Sequence, residues 1–220
     1  MKNRNETIIA PSILGVEENR LFEELPNIEK AGAQWVHVDI MDGKFVKHVS
    51  GSLELFEKIA KKHSLFNDVH IMVKRPSIYV DPYIAAGANN LTFHFEACYS
   101  IGQAKWIIKK IHKKGAKAGI SICPDTPVQK IIPLLNDVDL VLVMTVVPGK
   151  GGQEFMESNL EKVKQIKAFN PNVLVEVDGG VNAVTAKKCV EAGVDVLVSG
   201  SYIFGGKVKE RIASLKKAVK

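Results

Sequence analysis

The sequence predicts an α/β protein, a single (β/α)8 or TIM barrel occupying residues 1–220. Three observations predict it. Short apolar strand signals alternate eight times with amphipathic helical signals. Four of the helical stretches end on the same punctuation, Ala31-Gly32-Ala33, Ala86-Gly87-Ala88, Lys114-Gly115-Ala116 and Ala192-Gly193-Val194. Each puts glycine where a helix C-terminus turns left-handed, with a strand signal a few residues on. Strands separated every time by a helix lie parallel, because antiparallel neighbours need only a hairpin. The length is the third observation: spread over eight units it leaves about 27 residues each, a compact barrel with little to spare for a second domain. The alternative, a doubly wound open sheet, usually carries G-x-G-x-x-G after its first strand. Here that strand ends at Pro11-Ser12-Ile13-Leu14-Gly15.

The elements follow in order. A strand at 8–12 leads to a helix over 17–30, a strand at 35–39 to a helix over 53–62, and a strand at 69–73 to a helix over 77–86. Strand 91–95 leads to helix 102–113, strand 117–122 to helix 128–135, and strand 140–145 to helix 159–169. Strand 173–178 leads to helix 183–191, and strand 196–199 to a short segment at 202–205 and a last helix over 207–219. Each strand candidate is short, apolar and rich in β-branched or aromatic side chains.

Composition narrows the function. With 46% apolar and 25% charged residues the chain is not a disordered one, and it is long enough to bury a full core. Its longest apolar run, 140–147, falls well short of the roughly 18 residues of a membrane span. Lys2 and Arg4 are followed by Glu6 and Pro11, which interrupt any signal-peptide core. Cys98, Cys123 and Cys189 are too scattered for a metal motif or a disulfide framework, so a reduced, cytoplasmic protein is expected. The net charge is +6, but only Arg4, Arg20, Arg75 and Arg211 of the 30 basic residues are arginines, the bidentate base readers. No nucleic acid or membrane partner is expected. A modest positive field suits a phosphorylated small molecule. A barrel of this size commonly buries a face by self-association, so a homo-oligomer is expected.

In a barrel, functional groups project from the C-terminal ends of the strands. Those ends hold Ser12, His37 and Asp39, His70 and Met72, His94 and Glu96, Met144 and Thr145, Asp178, and Ser199. Alternate residues of a strand share a face, so His37 and Asp39 point the same way, with Met41 if the strand continues, and so do His70 and Met72. If these faces and that of Asp178 are inward, two imidazoles and two carboxylates converge. That is a donor set for Zn2+, Mn2+, Fe2+ or Co2+, or alternatively an acid/base site. Hydrogen-bonded core histidines and loop-starting Asp42-Gly43 and Asp178-Gly179 turns are the plainer reading, against which stands the cost of burying so many unpaired polar groups. Glycines cluster after the last three strand candidates: Gly149-Lys150-Gly151-Gly152, Gly179-Gly180 and Gly200-Ser201. Such loops either make tight turns or let backbone N–H groups approach a phosphate. The first is long enough to serve as a lid.

Together these stretches resemble the ribulose-phosphate 3-epimerase family over most of the chain. The most specific match is His37-Val38-Asp39-Ile40-Met41-Asp42-Gly43-Lys44-Phe45-Val46, with Pro11-Ser12-Ile13-Leu14, Asp68-Val69-His70-Ile71-Met72-Val73, Val141-Leu142-Val143-Met144-Thr145-Val146 and Glu176-Val177-Asp178-Gly179-Gly180-Val181 as its companions. The resemblance implies a cytoplasmic isomerase of carbohydrate metabolism, in the pentose phosphate pathway, interconverting ribulose 5-phosphate and xylulose 5-phosphate. It implies one divalent metal ion per subunit on His37, Asp39, His70 and Asp178, with Asp39 and Asp178 as the acid/base pair. Ser12 and His70 would contact the sugar, Met41, Met72 and Met144 would cap it, and the three glycine loops would hold the phosphate. His94 and Glu176 read as structural or supporting groups, and the cysteines as packing.

Two departures from the family pattern stand out. Lys150 replaces an aromatic, with Val147 where a polar residue is usual, and a contact of Lys150 with the substrate phosphate is the expectation. Lys47-His48 stands where a Pro-Asn turn is expected, which leaves room for a six-carbon ketose phosphate such as allulose 6-phosphate. Related barrels that decarboxylate carry Asp-x-Lys-x-x-Asp on a strand; Asp39-Ile40-Met41-Asp42 has no such lysine. A non-catalytic phosphate-binding barrel would not need His-x-Asp and Asp-Gly-Gly together.

Overall fold

A computed structural model describes residues 6–220. Nine strands form one sheet: β1 (Ile8–Pro11), β2 (Trp35–Asp42), β3 (Val49–Ser50), β4 (Phe66–Met72), β5 (Asn90–His94), β6 (Lys117–Ile122), β7 (Leu140–Met144), β8 (Leu174–Asp178) and β9 (Val196–Ser199). All but β3 pair in parallel, in the order β1-β9-β8-β7-β6-β5-β4-β2, and β3 adds antiparallel to β2. The barrel closes where β1 meets β2: Ser12 bridges His37, and Ile13 N donates to His37 O at 3.2 Å. The side chain of Gln34 fills a gap lower in that seam, accepting from Ile9 N at 3.1 Å.

The helices are α1 (Glu18–Lys30), α2 (Leu53–Ala60), α3 (Val80–Ala85), α4 (Ile101–Lys113), α5 (Leu160–Phe169), α6 (Ala183–Ala192), α7 (Ser201–Phe204) and α8 (Val208–Ala218). The best-capped start is that of α6, where Asn182 accepts from Val184 N and Thr185 N while Thr185 reaches back to Asn182 N. Its end is Gly193 at φ 103°, a conformation a side chain resists, and Gly32, Gly87 and Gly115 close their helices in the same way.

Strand alternation divides the molecule into two cores. Outward residues such as Val36, Val38, Ile40, Val69, Ile71, Leu91 and Phe93 pack under the helices in one large apolar cluster. The barrel interior is split. Ala10, Leu140, Leu142, Met144, Val196 and Val198 make one side apolar. His37, Asp39, Asp68, His70, Asn90, Thr92, His94, Ser121 and Glu176, all buried, make the other side polar.

Two expected helices are corrected. The segment 128–135 is not a helix but two 3-10 turns, Val128–Lys130 and Ile132–Leu134. Pro127 precedes it and Pro133 lies within it, and a proline removes an N–H and clashes with the preceding turn. The segment 77–86 divides into a 3-10 turn at Pro76–Ile78 and the shorter α3, which has Pro82 near its start. The hairpin to β3 was not expected from the sequence. Asp42 starts it, accepting from Lys44 N at 2.8 Å and Phe45 N at 2.9 Å.

Candidate active site

The inward positions of β2, β4 and β8 bring the sequence-derived donors together. Register places Asp39 beside His70 and Met41 beside Met72, while β8 ends on Asp178 next to Met144 of β7. One donor atom each from His37, Asp39, His70 and Asp178 lie within 4.8 Å of one another. Asp39 Oδ1 is 3.4 Å from His37 Nε2 and 3.1 Å from His70 Nδ1. Ser12 donates to the other oxygen, Oδ2, at 2.9 Å.

Above this cluster opens a cavity of about 680 Å³. Asp39 and Asp178 form its floor, Met41, Met72 and Met144 its apolar wall, and Ser12, Gly149, Lys150, Gly151, Gly152, Gly179, Gly180, Gly200 and Ser201 much of the rest. His37 and His70 are completely buried and do not line the cavity, so they stand beneath its floor. His48, Val49 and Ser50 from the departing segment reach the wall. Val147 is exposed, and its carbonyl and that of Lys150 accept from Gln153 Nε2 at 2.7 and 2.8 Å, which braces the glycine loop. Gly180, at φ 67°, has a packing reason as well: a Cβ there would lie 2.7 Å from the backbone of Phe155.

The two floor carboxylates are driven apart electrostatically. Burial pushes both up. At Asp39 this is outweighed by the nearby charge of His37 and then by His70, which hold it well below the usual carboxylate range. At Asp178 burial acts with the repulsion of Asp39, and its pKa stands at about 7. Burial alone would lower His37, but Asp39 and Asp68 on either side raise it well above its ordinary value. One carboxylate is thus ionised and the other able to give up a proton near neutral pH.

The donor set fits a divalent cation. His37 Nε2 is buried with no hydrogen-bond partner and faces Asp39. Its other nitrogen, Nδ1, is 2.6 Å from Asp68 Oδ2, the carboxylate support that orients a ligating imidazole. Asp68 is the residue the sequence reading missed. It lies two before His70, so alternation puts it on the same face, but its burial and its partner 31 residues away are not local signals. Glu176, also buried, lies 3.7 Å from His37 Nδ1; burial, reinforced by Asp68, raises its pKa.

With this geometry, comparisons with known proteins decide the kinship. The family model described as the ribulose-phosphate 3 epimerase family matches residues 8–204. The chain belongs to the ribulose-phosphate 3-epimerase family. It is 40% identical over 217 residues to the cytoplasmic isoform of ribulose-phosphate 3-epimerase from Oryza sativa, covering 96% of this chain and 93% of that one. It is likewise 40% identical over 211 residues to the Bacillus subtilis enzyme, covering 94% and 96%. A chloroplastic relative from Arabidopsis thaliana is 38% identical over 93% of this chain and 74% of its own. As an epimerase of this family the protein is an isomerase. Similar folds occur in 3-hexulose-6-phosphate synthase (TM-score 0.72, 15% identity, 97% and 100% covered) and KGPDC from Streptococcus mutans (TM-score 0.75, 14% identity, 98% of each covered). Among the described residues, no helix is long and apolar enough to cross a membrane.

Proposed function

We propose that the chain, as one catalytic barrel over 1–220, epimerises C3 of D-ribulose 5-phosphate to D-xylulose 5-phosphate. The observation that carries this is the pair Asp39 and Asp178: two carboxylates on one cavity floor, in a cluster with His37 and His70 whose donor atoms lie within 4.8 Å of one another. The proton on C3 of a 2-ketose is α to a carbonyl. Inversion requires one group to take it from one face and another to return it to the opposite face. Asp39 takes a proton as base while protonated Asp178 supplies one, and the roles exchange in the reverse direction. Between the two transfers the substrate is an enediolate, and Met41, Met72 and Met144 exclude water from it and adapt to its shape.

His37, Asp39, His70 and Asp178 would hold one divalent ion per subunit, from the group Zn2+, Fe2+, Mn2+ and Co2+. When bound, it supplies Lewis-acid stabilisation of the negative oxygen. Ser12 orients Asp39 and reaches the sugar. Gly179, Gly180, Gly200 and Ser201 would receive the phosphate, and Lys150 would reach it from the glycine loop. A six-carbon ketose phosphate such as allulose 6-phosphate is the second reading, favoured by one observation: His48 and Val49, from the segment that departs from the family, line the cavity wall.

Incubation with ribulose 5-phosphate in D2O, followed by NMR, tests the reading. Deuterium at C3 with xylulose 5-phosphate appearing is the expected result. No exchange with metal present would sink it. Faster turnover of allulose 6-phosphate would favour the second substrate.

A further inference from the structure

We propose that Glu96 is a positioning residue for the metal site: acting through His94, it fixes which nitrogen of His70 carries the proton and leaves His70 Nδ1 free to bind the ion. The inference rests on the metal reading above. Four side chains form one line from the surface to the site. Glu96 Oε2 is 3.2 Å from His94 Nδ1, His94 Nε2 is 2.9 Å from His70 Nε2, and His70 Nδ1 is 3.1 Å from Asp39 Oδ1. Where two imidazole nitrogens face each other, one must donate and the other accept. Two relays along the line run in opposite directions. One has His70 Nδ1 donate to Asp39; the other leaves a lone pair on His70 Nδ1, which a bound ion would take up.

The outer end makes the choice. Glu96 Oε1 accepts from Cys123 N at 2.8 Å and from the Thr126 hydroxyl, so the carboxylate is oriented. Burial raises its pKa, but the bonds and charge of His94, followed by the Thr126 and Cys123 bonds, hold it at about 2. An ionised carboxylate only accepts. With the ion bound, His94 Nδ1 donates to Glu96, His94 Nε2 accepts from His70 Nε2–H, and His70 Nδ1 keeps its lone pair for the ion instead of donating to Asp39. His94 is fully buried, with the Phe45 ring 4.7 Å away, so the line is shielded from solvent. Cys123 Sγ lies 3.6 Å from His94 Nδ1, and burial pushes its pKa to about 12, so it stays a thiol and offers no rival anion.

Glu96→Gln separates this role from a merely structural tie between β5 and β6. The N–H of Cys123 still needs an oxygen, so the amide oxygen stays there and the amide nitrogen turns to His94 Nδ1. His94 must then accept at Nδ1, and the whole line reverses, placing a proton on His70 Nδ1. The expected result, in chelator-stripped protein titrated with Co2+ and followed by its absorption bands, is about a 10- to 100-fold weaker Kd. In 15N NMR the proton on the His94 ring should sit on Nδ1 in the Zn2+-loaded wild type, and on Nε2 in the variant. Glu96→Asp, which keeps the acceptor, should retain the wild-type protonation pattern and most of the affinity.

Unchanged Co2+ affinity in Glu96→Gln overturns the inference, as does an Nε2–H tautomer of His94 in the Zn2+-loaded wild type, a measurement that needs no variant. Equal losses in Glu96→Asp and Glu96→Gln would reduce Glu96 to a structural tie. Wild type that takes up no Co2+ overturns the metal reading and this inference with it, a result distinct from Co2+ binding that the substitutions do not alter.

Discussion

At the scale of single residues, the site works by giving chemically identical groups different surroundings. Asp39 sits between two imidazoles, Asp178 sits half-buried beside another carboxylate, and their affinities for a proton separate accordingly. Asn at either position keeps the shape and removes the proton exchange. Asp39→Asn and Asp178→Asn are each expected to lower kcat by about 10²- to 10⁴-fold with the fold intact by circular dichroism. Lys150 is a different kind of residue, exposed on a braced loop at the cavity rim. Lys150→Ala is expected to raise KM about tenfold, roughly 1.4 kcal/mol, with kcat nearly unchanged. Unchanged KM would remove it from phosphate binding. Asp39, His70 and Asp178 could be read from the sequence because each is a polar side chain where an apolar one is expected. Asp68 was passed over because a lone acidic residue at the start of a strand signal looks like a loop residue until its burial is known.

At the scale of elements, the short β2–β3 hairpin locks the catalytic strand. Ser50 donates to Asp39 O at 2.9 Å, and Gly51, at φ 65°, accepts from Tyr83 OH at 2.8 Å. A Cβ on Gly51 would lie 2.6 Å from Asp39 O and 2.5 Å from Ile40 Cδ1. Gly51→Ala therefore combines backbone strain with overpacking, about 2–4 kcal/mol, and should lower Tm by roughly 5–15 °C and kcat with it. Calorimetry and a rate assay on one sample check both. The β5–β6 junction offers a pH test. Glu96 is depressed to about 2 from an ordinary 4.5, so its stabilisation is fully present above about 4.5 and is lost as pH falls toward 2. The difference in urea midpoint between wild type and Glu96→Gln should be constant above that window and shrink within it. A difference that grows on acidification would contradict the assignment. Strand positions were legible because periodicity is local. The helix expected over 128–135 failed because Pro127 and Pro133 outweigh an apolar pattern, and β3 was invisible because two residues carry no period.

At the scale of the whole molecule, the barrel interior is half apolar and half polar, and the polar half concentrates buried carboxylates around His37. Such a charge cluster is stabilised by a cation. Stripping the protein with a chelator should lower Tm by about 5–10 °C, the equivalent of roughly 2.7 kcal/mol for an ion present at a hundred times its Kd, and readdition should restore it. A Tm indifferent to chelation and to added metal would count against an ion in the site. The sequence by itself determined the alternation of strands and helices, the parallel sheet, the polar strand ends and the kinship those motifs carry, because each is written within a few neighbouring residues. Only the tertiary structure decided that His37 and His70 lie beneath the floor, that Asp68 of β4 orients His37 of β2, and that Asp39 and Asp178 differ in their hold on a proton. Those properties depend on distance, burial and the charge of residues brought together by barrel closure, and none of these is a local property of the chain.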